Sequence, residues 1–323
     1  MYSLLMYHPI LFLETHIQHT KIEAFNSLEL IARQAVEGFI TGLHKSPFHG
    51  FSVEFAEHRQ YNAGESTRFV DWKLYGKTDK LYTKRFEEET NLRCQLVIDR
   101  SSSMYFPVLN SPTPEHPNKI LFSVYAAAAL ATLMKKQRDA FGLTCFSDHM
   151  DTHTQVRSSM VHYQYLLTEL EKLLRFDQPE KGVGTDIAGS LHHLAEMIHQ
   201  RSLVIIFSDM MDQTENQDMN FSALQHLKHA KHEVILFHVK DKNLEENLDY
   251  ENRPYRFVDM ESGEVVKLNP MEIKENYQKM AKNSRTELEQ RCGRYGIDYV
   301  EADVTQGFEG ILLPYFFKRQ KLY

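Results

Sequence analysis

Residues 96–106 read LVIDRSSSMYF: an apolar run broken by Asp99 and followed by Ser101, Ser102 and Ser103. A buried strand that ends in a cluster of oxygen-bearing side chains points to a loop that holds something. Three chemistries fit: a cation, a phosphate, or a serine nucleophile. Two later stretches add oxygen donors. KGVGTD (181–186) places Thr185 just before a helical pattern, and VIIFSDMMD (204–212) is an apolar run ending at Asp209. Asp99, Ser101, Ser103, Thr185 and Asp209 together give two carboxylates and three hydroxyls, with no histidine or cysteine. Hard oxygen donors of this kind suit Mg²⁺ or Mn²⁺ better than zinc. Magnesium retains part of its water, so short hydroxyl ligands leave a position open for an outside ligand. The nucleophile reading is weaker, because no G-x-S-x-G elbow is present and no histidine adjoins Ser101 or Ser103. The phosphate reading is weaker still: G-x-x-x-x-G-K-[ST] is absent, and GVGTD carries Asp186 where a phosphate would favour lysine.

The elements around these residues decide whether they can meet. RCQLVIDR, DAFGLTCFS, SLVIIFSD, HEVILFHVK and GIDYVEAD read as strands. Helical patterns alternate with them: KILFSVYAAAALATLMKKQ, 158–176, IAGSLHHLAEMIHQ, 221–230 and 270–293. Alternation of this kind predicts βαβ units and a three-layer, doubly wound α/β fold with a mainly parallel sheet. In such sheets ligands bind outside the carboxyl ends of the strands, where strand order reverses. Residues 255–268 read as a hairpin around Glu261-Ser262-Gly263. Upstream, residues 27–43 read as a helix, and FSVEFAEHRQY and LYTKRFEEET as strands. The expected division is an N-terminal region over 1–90 and the α/β domain over 91–323, with the hairpin as an insertion.

Composition narrows the class. A formal net charge of −7 gives no general reason to expect nucleic-acid binding. Cys94, Cys145 and Cys292 are widely spaced and odd in number, which indicates buried thiols in a reducing compartment rather than disulfides or a thiolate metal site. MYSLLMYHPILFLETH at the start lacks a preceding positive charge and is interrupted by Pro9, unlike a signal peptide. No uncharged run reaches the roughly 18–20 residues of a spanning helix. The expectation is a cytoplasmic chain with no transmembrane segment, in which residues 1–20 serve as a docking segment or are a misassigned start.

The order D-x-S-x-S, loop threonine, strand-end aspartate is similar to the metal-ion-dependent adhesion site of von Willebrand factor A (vWA) domains. The resemblance spans about residues 91–240 and matches at Asp99, Ser101, Ser103, Thr185 and Asp209. It implies a binding module rather than an enzyme. The serines and threonine would ligate Mg²⁺ directly, the aspartates largely through water, and an acidic residue of a protein partner would complete the coordination. A second run, EHRQYNAGESTRFVDWKLYGKTDKLYTKRFEEET (57–90), resembles the signature of a bacterial family of unknown function numbered fifty-eight. The matching residues are Arg59, Tyr61, Gly64, Glu65, Arg68, Val70, Asp71 and Trp72, with Arg85 and its neighbours following. That resemblance implies an adaptor or assembly factor working with a MoxR-type AAA+ ATPase. Physically, the mixed Arg, Lys, Asp and Glu residues of this run suit bidentate pairing that pins the segment in place. Trp72, the sole tryptophan, is expected to anchor a core.

Seventeen histidines is a high count. His192, Glu196 and His199 share one predicted helix face, and His226 and His229 another. The expectation is that both groups are solvated, and that His238 is a bonded strand residue. The rival functional reading is a metal-dependent hydrolase on the same oxygen cluster. It would need a general base and a basic clamp, for which Arg100 is the nearest candidate.

Overall fold

The computed structural model describes residues 28–38, 54–62, 67, 70–87, 92–109, 113–114, 116–174, 186–211, 217–260 and 263–322; at 54–59, 84–87, 217 and 319–322 it describes the backbone alone. The predicted docking segment at 1–20 lies outside the described residues. The chain divides into two compact units, residues 48–92 and the remainder. The helix over 28–38, α1, therefore falls with the later unit rather than with the signature region. Its buried stripe is Leu28, Ala32, Ala35 and Val36, the spacing of one helix face.

In the smaller unit, β1 (Glu54–Gln60) pairs antiparallel with β2 (Tyr82–Glu87). Between them lies α2 (Trp72–Thr78), a helix absent from the sequence expectation. Asp71 caps it by accepting from Lys73 N at 3.0 Å and Leu74 N at 3.1 Å. Asp79, in left-handed backbone at φ 56°, ends it. Val70 is buried and bridges to Thr83.

The larger unit is an α/β sheet. Its elements are β3 (Arg93–Asp99), α3 (Lys119–Gln137), β4 (Ala140–Phe146), β5 (Met150–His153), α4 (Met160–Leu173), α5 (Ile187–Met197), β6 (Leu203–Ser208), α6 (Gln217–His229), β7 (Glu233–Lys240), the hairpin β8 (Tyr255–Val258) and β9 (Val265–Leu268), α7 (Pro270–Arg294), β10 (Asp298–Asp303) and α8 (Gly307–Leu322). A single π-helical turn, Lys242–Glu246, follows β7. Strand order is β10-β7-β6-β3-β4-β5. All neighbours run parallel except β5, which returns antiparallel along β4. β5 escapes a sequence reading because MDTH has no apolar alternation, as befits an edge strand.

Both faces of the sheet are covered, which is why its strands read as continuous apolar runs. Val97, Ile206, Val234 and Leu236 pack with Leu191 and Leu194 of α5 and Leu224 of α6. On the other face Phe207 stacks on Phe237, whose ring meets Tyr315 of α8. There α3 lies among β3, β4, α4 and α8, and every residue from Lys119 to Met134 is buried. A helix apolar all round must be buried all round. Its alanines, Ala126–Ala129 and Ala131, allow that close approach.

The chain leaves β3 for β4 on one side and later places β6 on the other. The strand order thus reverses between β3 and β6, and their carboxyl ends open the crevice where ligands of such sheets bind. α3 starts at the same edge, so its packing fixes what stands there. Ala128→Leu should overpack this helix and lower stability by about 1–3 kcal/mol, read as a shifted urea midpoint at unchanged m-value; an unshifted midpoint would show that the helix has slack.

Candidate cation site

Asp99 ends β3 and Asp209 follows β6, with Ile98 and Phe207 paired between them. Both carboxylates are buried. The turn after β3 is built on Asp99: its Oδ1 accepts from Ser101 N at 2.8 Å, and its Oδ2 accepts from Ser208 Oγ at 2.6 Å. The chain then tightens into a 3₁₀ turn over Ser102–Tyr105, which brings Ser101 Oγ and Ser103 Oγ to 2.9 Å from each other. Asp209 Oδ1 accepts from Met211 N at 3.0 Å, and its Oδ2 from the Lys119 ammonium at 2.7 Å. Lys119 also donates to Glu245 Oε1 of the π-helical turn at 2.6 Å.

Burial pushes the Asp99 carboxyl up to about 7, the nearby Asp209 charge adds to this, and the hydrogen bonds from Ser208 and Ser101 oppose it. Burial alone would lower the Lys119 ammonium; the carboxylates of Asp209 and Glu245 outweigh it and hold the lysine above its ordinary value. His238 is depressed to about 4, first by burial and then by the Lys240 charge. Its ring bonds Tyr299 OH at 2.8 Å and the Asp209 carbonyl at 3.0 Å, the satisfied strand residue expected.

Two members of the donor set are spaced as two ligands of one small divalent cation would be. Two oxygens each about 2.1 Å from one octahedral ion, at right angles, stand ~3.0 Å apart. The two serine hydroxyls meet that spacing. Asp99, Ser101, Ser103 and Asp209 are thus gathered at one edge, while Thr185 lies outside the described residues. Among the described residues no group of three or more His, Cys, Asp or Glu side chains is placed to hold a metal; the Asp99 cluster draws on hydroxyls instead.

Sequence reasoning missed Lys119, Glu245 and Ser208. Lys119 opens an apolar helix. A cation in the first turn opposes the helix dipole, so a lysine there signals carboxylate partners. Arg100, the nearest basic candidate for the rival hydrolase reading, is paired with Asp151 at 2.9 Å.

Elsewhere the outcome is mixed. Trp72 is 61% exposed, not the expected core anchor. No residue of α2 is buried, so the first position of that helix has no core to enter; Trp72 meets Tyr75 edge-on instead. Tyr61 is half-buried and its N–H donates to the Leu81 carbonyl at 3.0 Å. Arg59 and Arg85 lie on β1 and β2, where Glu57 is in register with Arg85; their side chains, and Gly64, Glu65 and Arg68, lie outside the description. His192 and His226 are not separate solvated groups: they are half-buried and their Nδ1 atoms meet at 3.0 Å across α5 and α6. His193, His199 and His229 are exposed, and all three cysteines are free and buried.

The sequence pattern described as "Protein of unknown function DUF58" matches residues 57–287. The chain belongs to the DUF58 family. Among relatives of this DUF58 protein, the uncharacterised Mb1516 of Mycobacterium bovis is 25% identical over 235 residues, covering 72% of this chain and 70% of the relative. The uncharacterised Rv1480 of Mycobacterium tuberculosis matches to the same extent. Among solved structures, an aerotolerance-related membrane protein from Bacteroides fragilis superposes with a TM-score of 0.42 at 14% identity, covering 72% of this chain and all of that one. BatB from Bacteroides thetaiotaomicron gives 0.40 at 13% identity, covering 71% and 99%. No described helix of this DUF58 chain is long and apolar enough to cross a membrane.

Two outcomes follow from the charges. Lys119→Met would leave Asp209 and Glu245 buried without their cation, at a cost of about 3–5 kcal/mol by chemical denaturation; adding Glu245→Gln should recover part of it. A loss below 1 kcal/mol would contradict the geometry. For Asp99, the folded chain holds a proton between the unfolded value near ~4 and about 7 that the unfolded chain has lost. Stability in EDTA should therefore fall as pH rises through that window. Asp99→Asn should lack this component, so parallel melting curves for the two proteins from pH 5 to 8 would refute the assignment.

Proposed function

We propose that this DUF58 protein is a cation-dependent protein-binding module, with Asp99, Ser101, Ser103 and Asp209, joined by Thr185, holding Mg²⁺ or Mn²⁺. The observation that carries this is the 2.9 Å hydroxyl pair in the turn after buried Asp99, at the reversal of strand order where the charge of buried Asp209 acts on Asp99. The resemblance to the vWA adhesion site supports the same reading. Asp99, Ser101 and Ser103 orient the coordination, and when bound the ion supplies a Lewis-acidic position for an outside oxygen.

Lys119 shares one positive charge between Asp209 and Glu245, so with ionised Asp99 three carboxylates face one ammonium, and the two negative charges left over match a divalent ion. The vWA resemblance implies that an acidic residue of a protein partner takes the position left open on that ion. The family resemblance extends this to an adaptor or assembly factor acting in the cytoplasm with a MoxR-type AAA+ ATPase. The hydrolase reading has less support: Arg100 is engaged by Asp151, and both ring nitrogens of His238 are bonded.

Thermal unfolding in EDTA, Mg²⁺ and Mn²⁺ tests the core of the proposal. At about ten times the dissociation constant, the ion should add roughly 1.4 kcal/mol to the wild type. Ser101→Ala should remove most of that gain while leaving the EDTA midpoint nearly unchanged. A wild type insensitive to millimolar Mg²⁺ and Mn²⁺ would reject an independent cation site.

A further inference from the structure

Three carboxylates and one ammonium meet at this sheet edge. Lys119 is fully buried and donates to Asp209 at 2.7 Å and to Glu245 at 2.6 Å. The charge of Asp209 acts in turn on buried Asp99. Lys119 also reaches the turn that carries Ser101 and Ser103. Its backbone N–H donates to the Phe106 carbonyl at 3.0 Å, and its ammonium lies 5.8 Å from the centre of the Phe106 ring. With the three acids ionised, three negative charges face one positive, a net −2.

Two neighbouring ionic groups close to zero. Arg100 pairs with Asp151 at 2.9 Å. Lys240 and Arg285 share Glu246 and Glu301. Asp241 and Asp303 cap the turns that follow β7 and β10, accepting from the Leu244 and Thr305 N–H groups. The uneven group is the one around Lys119. In a site partly shut off from water, an ion that leaves net charge of either sign loses hydration without a full return in attraction. The charge count therefore matters as well as the ligands.

We propose that Lys119 sets the valence of the ion this edge accepts. Its one positive charge brings three carboxylates down to the −2 that a divalent ion closes; without it the edge would favour a trivalent ion. The proposal rests on the cation reading above. Lys119 is a specificity residue that acts through Asp209 and Glu245 and need not touch the ion. Neither Lys119 nor Glu245 is among the proposed ligands, so two substitutions that cancel in charge should cancel in effect. Lys119→Met leaves −3, Glu245→Gln leaves −1, and the two together restore −2.

The test titrates the full chain with Mn²⁺ and with Lu³⁺, an ion of similar radius and one more charge. The readout is the part of the rise in melting temperature that Ser101→Ala removes. Glu245→Gln should weaken Mn²⁺ binding at least about tenfold, and adding Lys119→Met should return the dissociation constant to within about threefold of the wild type. Lys119→Met alone should raise the preference for Lu³⁺ over Mn²⁺ at least about tenfold. Where that single variant does not fold, Glu245→Gln and the double variant carry the test. A double variant that binds Mn²⁺ no better than Glu245→Gln overturns the valence proposal alone, as does a Lu³⁺ preference unmoved in folded Lys119→Met. A lysine that only braced the edge would give those results. A wild type without a Ser101-dependent response to Mn²⁺ overturns the cation reading, and this proposal with it.

Discussion

A lysine with no solvent exposure stands where three elements meet. Moving an ammonium from water into a protein interior costs several kcal/mol unless partners are fixed around it, and the N-terminal end of α3 adds its own repulsion. Lys119 resolves both through Asp209 at 2.7 Å and Glu245 at 2.6 Å. The consequence is geometric as much as energetic. The ammonium ties the start of α3 to the end of β6 and to the π-helical turn after β7, so the carboxyl edge of the sheet is braced by one charge. A second network repeats the device outward: Lys240 and Arg285 share Glu246 and Glu301, and join β7, the π turn, α7 and β10.

This bracing explains how two buried carboxylates coexist. Asp99 and Asp209 follow neighbouring strands, and their repulsion helps push Asp99 up to about 7. Lys119 meets the charge of Asp209 from behind, and Ser208 and Ser101 donate to Asp99 from the sides. Glu245 draws on the same ammonium, so three carboxylates share one positive charge at this edge and the negative charge is only partly met. That residue of unbalanced charge is what a divalent ion would satisfy. Both carboxylate oxygens of Asp209 are held, Oδ2 by Lys119 and Oδ1 by the backbone N–H of Met211.

The fold was legible because both sheet faces are covered. Fully buried parallel strands appear as unbroken apolar runs such as LVI and LVIIF, and the helices between them as longer apolar periods. What escaped was short or polar: β5, whose pairing is an edge effect, α2, set by the Asp71 cap, and the π turn. The site was half legible. Asp99, Ser101, Ser103 and Asp209 declared themselves by ending apolar strands. Lys119 did not, because a lysine before an apolar helix also reads as its solvated start. Glu245 is 126 residues from Lys119, and no local pattern links them. Trp72 failed for the opposite reason: size argued for burial, but a seven-residue helix without a buried face offers no core.

These residues separate two kinds of constraint at one sheet edge. The hydroxyls of Ser101 and Ser103 bond each other within the turn that carries them. Lys119, by contrast, is buried with α3, whose length is packed on both sides. Loss of a hydroxyl therefore removes only a proposed ligand, whereas loss of the ammonium removes a brace. Oxygen donors concentrated in a turn, with the neighbouring counter-charge anchored in a rigid helix, keep the proposed cation contacts apart from the packing that holds the sheet.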